Sequence, residues 1–386
     1  MTAIRALAWV GDGIDPSERT RVLSLQRMAS ESRRNFLELM LAHKSWIEDG
    51  LTTEEVAVVD SLRRLSSENA LRLMGMPFVD EIDAVDVLAM SALAVLGERQ
   101  RNGVSRVLSH PTLRDGITDD LARIIAVLGI IDDTHYGLID TLLDPDRATL
   151  EERSILLPLA GPVRLTVVRV EPVMPQAMDW LEHAIRSHEE FMGEAFPTSY
   201  VSLLIADATR FGGRGGPSGI LTVGPGRGQY TIAHEAAHVY WSTFSLWISE
   251  GGAELLTDVA LGRIRSPQGC SLVDNLAELD RLLLDLLEEG GPGDPFDVIY
   301  FSSCDYLLGI SLFADLHRGL GSDAFRRGFR SLYLKIRSDV HEDECRGLER
   351  AVCYVKAAFV SGSEPETEEI AEQIIDRLYY GSPSED

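Results

Sequence analysis

The sequence predicts an α+β protein, mainly helical with a small β-sheet, organised in two domains. Three observations predict it: apolar periodicity of three and four residues over 17–150, a β-branched and partly alternating run at 163–170, and renewed helical texture through most of the remainder. A length of 386 residues can bury two globular cores. The expected division is a helical domain over 1–155 and a mixed α and β domain over 156–386.

In the first domain Phe36, Leu37, Met40 and Leu41 recur at helical intervals, as do Leu121, Ile124, Ile125 and Leu128. Turn signals at Asp49-Gly50, Gly75-Met76-Pro77, His110-Pro111 and Asp144-Pro145 cut the pattern into several helices. After Pro158 the texture changes, and 163–170 suits a strand. An amphipathic helix follows over 175–196, with Trp180, Leu181, Ile185, Phe191 and Met192 on its apolar side. Residues 201–206 read as a buried strand, and 219–223 as another after a glycine-rich loop. The rest is mostly helical, with loops around 290–293 and 361–365.

Composition narrows the function classes. A hydrophobic share of 45% and a charged share of 25% are those of an ordinary soluble protein. Thirty-six basic against sixty-one acidic residues give a formal charge of -25, which repels phosphate backbones and acidic lipid surfaces, so neither nucleic acid nor membrane is an expected partner. The apolar stretches fall far short of the ~20 residues that span a bilayer. Residues 1–11 lack the features of a secretory signal, and the four cysteines, Cys270, Cys304, Cys345 and Cys353, include no C-x-x-C pair. Reduced thiols and a cytoplasmic location are expected.

The chemistry sits in His234-Glu235-Ala236-Ala237-His238 and, eleven residues on, Glu250 within Trp247-Ile248-Ser249-Glu250-Gly251-Gly252-Ala253-Glu254. Side chains four apart share one helix face, so two imidazoles can grip a single ion. A catalytic zinc site holds three nitrogen or oxygen ligands and leaves a fourth position to water; His234, His238 and Glu250 fit that count for one Zn2+. Glu235, beside the first ligand, is placed to take a proton from water attacking a carbonyl. Glu254, one turn beyond Glu250, is the expected partner that orients a ligand histidine.

At these residues the chain resembles the gluzincin metallopeptidases, in particular the aminopeptidase N family, whose H-E-x-x-H and W-L-x-E-G-x-A are matched with Ile248 in place of leucine. The resemblance runs over roughly residues 160–335. Tyr306-Leu307-Leu308-Gly309 and Leu320-Gly321-Ser322-Asp323-Ala324-Phe325 resemble the family's Y-x-K-G run and its continuation. It implies a thermolysin-like catalytic domain with Glu250 as third ligand and Tyr306 as the hydroxyl that steadies the oxyanion. The chain departs from the family where a glutamate should hold the substrate's free amino terminus. Here it has Gly213-Arg214-Gly215-Gly216-Pro217.

The active site is expected between the strand 219–223 and the metal helix. Gly219 and Ile220 open that strand, and Arg214 in the bordering loop offers a guanidinium fork to a substrate carboxylate. The expected reaction is zinc-dependent cleavage of a peptide, or else of a small-molecule amide or ester, with acyl transfer as a variant. A non-catalytic zinc scaffold that binds a partner protein is the remaining alternative.

Overall fold

The computed structural model describes residues 84–265, 303–338, 350–360 and 365–380, apart from positions 100, 115, 171–172, 210–211 and 243–245, together with scattered positions before 84. Helices expected around 36–41 lie outside the described residues. The order is α1 (Ala84–Arg99), α2 (Arg101–Leu108), α3 (Asp119–Leu128), α4 (Leu138–Leu142), β1 (Thr149–Leu157), β2 (Gly161–Arg169), α5 (Ala177–Met192), β3 (Tyr200–Ile205), β4 (Gly213–Arg214) and β5 (Ile220–Val223). After the sheet come α6 (Gln229–Ala237), α7 (Leu246–Ala260), α8 (Ser303–Leu320), α9 (Ser322–Arg337), α10 (Arg350–Phe359) and α11 (Pro365–Tyr380). The α+β class holds: the described chain is mostly helical around one small sheet.

That sheet has the order β1-β2-β3-β5-β4. Its middle pairs, β2 with β3 and β3 with β5, are parallel, and its outer pairs are antiparallel. Alternate residues of a strand point to opposite faces, and here the two faces feed two cores. Val163, Leu165, Val167, Val201, Leu203, Ile205, Leu221 and Val223 belong to the core shared with α5, α6 and α7. Val168, Tyr200, Leu204 and Ile220 belong to the core built by the helices before β1. The sheet is therefore the middle of three layers, with α3 lying on β3 and β5 and α1 lying on α3.

Local chemistry sets the elements. Thr118 caps α3 by accepting from the Leu121 N–H at 3.3 Å, and Asp119 and Asp120 complement the positive end of the helix. Helix α5 stops at Gly193, whose φ of 62 is left-handed. Just before that stop, Glu189 is buried and its carboxylate accepts from the N–H groups of Leu159, Ala160 and Phe196 at 3.1, 2.8 and 3.3 Å. One carboxylate thus ties the β1–β2 turn to the entry of β3.

Two strands escaped the sequence reading. Strand β1 is charged and largely exposed at an edge, so it carries little hydrophobic signal, and the boundary expected between 155 and 156 falls inside it. Strand β4 is only Gly213-Arg214, in a loop whose glycines hide any strand pattern. A correction concerns the cysteines: Cys353 is disulfide-bonded, where reduced thiols were expected. Cysteine connectivity cannot be read from sequence spacing alone. Among the described residues no helix is long and apolar enough to cross a membrane.

Candidate metal centre

Helix α6 buries Ile232, Ala233, Ala236 and Ala237 against the sheet. His234 lies in its last turn, and His238 is its C-cap at φ -64 and ψ -10. Helix α7 packs on α6 and brings Glu250 to the pair. The His234 and His238 Nε2 atoms stand 3.2 Å apart, and Glu250 Oε2 lies 3.3 Å from the first and 3.5 Å from the second. A tetrahedral zinc with bonds of about 2.0–2.1 Å spaces its ligand atoms about 3.3–3.4 Å apart, so this triangle has the size of such a site.

The tautomers fit as well. His238 Nδ1–H donates to the Trp241 carbonyl oxygen at 2.7 Å, and His234 Nδ1 faces Glu254 Oε1 at 3.3 Å. With both Nδ1 atoms directed at acceptors, the two Nε2 lone pairs and a carboxylate oxygen converge on one point. Three electron-rich atoms at that spacing repel unless a cation sits among them. Burial disfavours a charged His234, yet the Glu250 and Glu254 carboxylates raise its pKa to about 10. Burial likewise opposes ionisation of Glu250, and the two histidines nonetheless hold its carboxyl well below the usual range.

Glu235 is buried beside this cluster. Burial raises its pKa, against the lowering influence of His234 and His238. Strand β4 runs over it so closely that a Cβ on Gly213 would come within 2.3 Å of Glu235 Oε1, and one on Gly215 within 2.2 Å of the Glu235 carbonyl oxygen. Only glycine permits that approach. The glycine-rich loop thus contains the short edge strand that roofs Glu235.

A second set of residues supports the histidines, and the sequence pointed only to Glu254 among them. Glu254 Oε2 accepts from the Tyr230 hydroxyl and from Arg265 Nη2. Buried Asp258 in turn accepts from the Arg265 Nε and backbone N–H, each at 2.7 Å. Arg265 lies 5.1 Å from the centre of the Tyr230 ring, which is itself stacked on His234. No motif spacing signals this network, because Tyr230 and Arg265 are joined by the fold and not by helix periodicity.

The other expected site residues fall as follows. Arg214 is exposed on β4, 3.7 Å from Asp132. Gly219, at φ +74, and Ile220 open β5, where Gly219 abuts Tyr200 and Thr198 and Ile220 is buried in the core shared with the helices before β1. Their neighbours belong to the sheet and not to the metal cluster. Tyr306 falls in α8, with its side chain outside the described residues. Gly309, one turn later, meets Gly251 of α7: a Cβ on Gly309 would lie 2.0 Å from the Trp247 carbonyl oxygen and 2.6 Å from Gly251 Cα.

Three solved structures of an M1 zinc metallopeptidase from Deinococcus radiodurans align with the chain. A point mutant does so at 18% identity and a TM-score of 0.39, covering 60% of this chain and 52% of that one. The enzyme without the mutation aligns at 16% identity and 0.39, covering 58% and 51%. The mutant bound to a Tyr-Ser-Ala substrate aligns at 16% and 0.39, covering 60% and 52%. This chain spans about half the length of those proteins. No protein-family model and no curated protein matches it.

Proposed function

We propose that this protein is a zinc-dependent hydrolase that cleaves peptide bonds. The observation that carries the reading is the triangle of His234 Nε2, His238 Nε2 and Glu250 Oε2, with edges of 3.2–3.5 Å, beside a buried carboxylate that is not one of its corners. A purely structural zinc site closes four protein positions and has no use for Glu235.

Zinc held at this triangle supplies Lewis acidity toward a carbonyl oxygen and makes a water acidic near neutral pH. Glu235 takes the proton of the attacking water and returns it to the leaving amine nitrogen. Its burial suits both halves of that task, because a carboxylate with a raised pKa is a better base and its conjugate acid is still a competent donor. Glu254 fixes the His234 tautomer through Nδ1, and the Trp241 carbonyl does the same for His238. Strand β4 offers backbone groups to an extended peptide at a sheet edge. Tyr306 is assigned the oxyanion donor on resemblance alone. The absence of a carboxylate at 213–217, where Arg214 stands instead, favours a substrate without a free amino terminus and keeps a small-molecule amide as the second reading.

The test is turnover of a mixed peptide library by the zinc-loaded protein, with and without a chelator. Glu235→Gln is expected to keep zinc and lose at least about 1000-fold in kcat, whereas His234→Ala loses the metal itself. Full activity in Glu235→Gln would exclude this mechanism.

A further inference from the structure

A cavity of about 480 Å3 is lined in part by residues that stand beside the candidate metal ligands in the chain. One wall is Tyr240 and Trp241, which follow His238 almost directly, with Ser249, the residue before Glu250; Pro217 comes from the loop after β4. The far wall is the C-terminal turn of α9, represented by Tyr333 and Arg337. Its volume is in the range of a small-ligand pocket. Three aromatic side chains and one guanidinium give it an apolar body with a single cationic point.

Arg337 is exposed and donates from Nη1 to the Tyr333 hydroxyl at 2.8 Å, with its guanidinium carbon 5.9 Å from the Tyr333 ring centre. Among the described residues no carboxylate pairs with it. Two other arginines of α9 are spent differently: Arg326 donates to the Phe191 and Glu190 carbonyls, and Arg330 pairs with Glu194. Helix α9 carries five basic side chains against the single carboxylate of Asp323, in a chain whose formal charge is -25. A local positive field in an acidic protein draws anions to that spot.

We propose that this cavity is the specificity pocket of the hydrolase and takes a substrate residue bearing a carboxylate, which Arg337 binds while Tyr240, Trp241 and Tyr333 pack its carbon chain. The inference rests on the reading of the metal centre and adds the substrate class. The carboxylate has two sources, an acidic side chain or the C-terminus of a peptide, and their chemistry at the guanidinium is the same.

The experiment uses N-acetylated tetrapeptides that differ only in Glu against Gln, each made as a C-terminal acid and as an amide. Turnover is measured with the zinc-loaded wild type, and binding by calorimetry with the zinc-loaded Glu235→Gln protein. At least one carboxylate-bearing member is expected to exceed its neutral counterpart about 10-fold in kcat/KM and in affinity, and the preferred pair identifies the source. In Arg337→Ala that preference is expected to fall within about twofold, through KM and not kcat, and Arg337→Lys restores part of it. A merely structural Arg337 would instead change acid and neutral peptides alike. Equal binding of all four peptides overturns the pocket assignment even if all are cleaved. Selective binding without any cleavage leaves the pocket standing and overturns the hydrolase.

Discussion

At the residue scale, helix geometry makes His234 and His238 legible as two imidazoles on one face, whereas Glu250, on a different helix, was marked as their partner by the family resemblance. What sequence cannot convey is how they are held. Glu254 is visible as a carboxylate one turn from Glu250, but its value comes from Tyr230 and Arg265, which meet it through the tertiary fold. Burial opposes its ionisation, and His234, Tyr230 and Arg265 nevertheless keep its carboxyl low. It therefore stands as an anion against His234 Nδ1 and presses the Nε2 lone pair toward the metal. Glu254→Ala is expected to weaken zinc affinity about 10- to 100-fold, read by competition with a calibrated chelator. Unchanged affinity would mean that the ring is held by stacking on Tyr230 alone.

At the element scale, the site depends on how closely α8 can lie against α7. The run ending in Gly309 was legible as a motif in which only Tyr306 had a role. The structure gives it a task of its own, because Gly309 and Gly251 let two helix backbones touch just where α7 delivers Glu250. A methyl group there meets backbone on both sides, and backbone cannot swing aside as a side chain can. Gly309→Ala is expected to cost about 3 kcal/mol in stability and to weaken zinc binding in the same variant, measured by denaturant titration with and without zinc. A loss of stability with unaltered zinc affinity would detach the helix contact from the metal centre. The same limit explains strand β4: its signal in sequence is a cluster of glycines, and glycine marks close approach without saying to what. Strand β1, at the other edge of the sheet, was hidden for the opposite reason, since an exposed edge strand has only one face to bury.

At the scale of the molecule, the sequence separates a helical front from a mixed back, and the sheet joins them. Val168, Tyr200, Leu204 and Ile220 alternate along their strands with the residues that pack on the metal-bearing helices, so the same three strands serve both cores. Period-2 patterning reveals that both faces are apolar, yet it does not say which helices cover which face. A helical front domain over 1–155 was therefore expected without the sheet face it covers. A chain beginning at residue 149 keeps every metal ligand but strips the cover from one side of β2, β3 and β5. At roughly 1.5–3 kcal/mol each, uncovering four such side chains costs about 6–12 kcal/mol, as large as the net stability left to a typical domain. The truncated protein is expected to lose its cooperative unfolding transition, bind a hydrophobic dye and hold zinc poorly, as read by calorimetry and metal analysis. A cooperative, zinc-replete fragment would show that the layer of helices before β1 is dispensable, and would relocate the stabilisation of β5 and the α6 it feeds to the α5–α7 side alone.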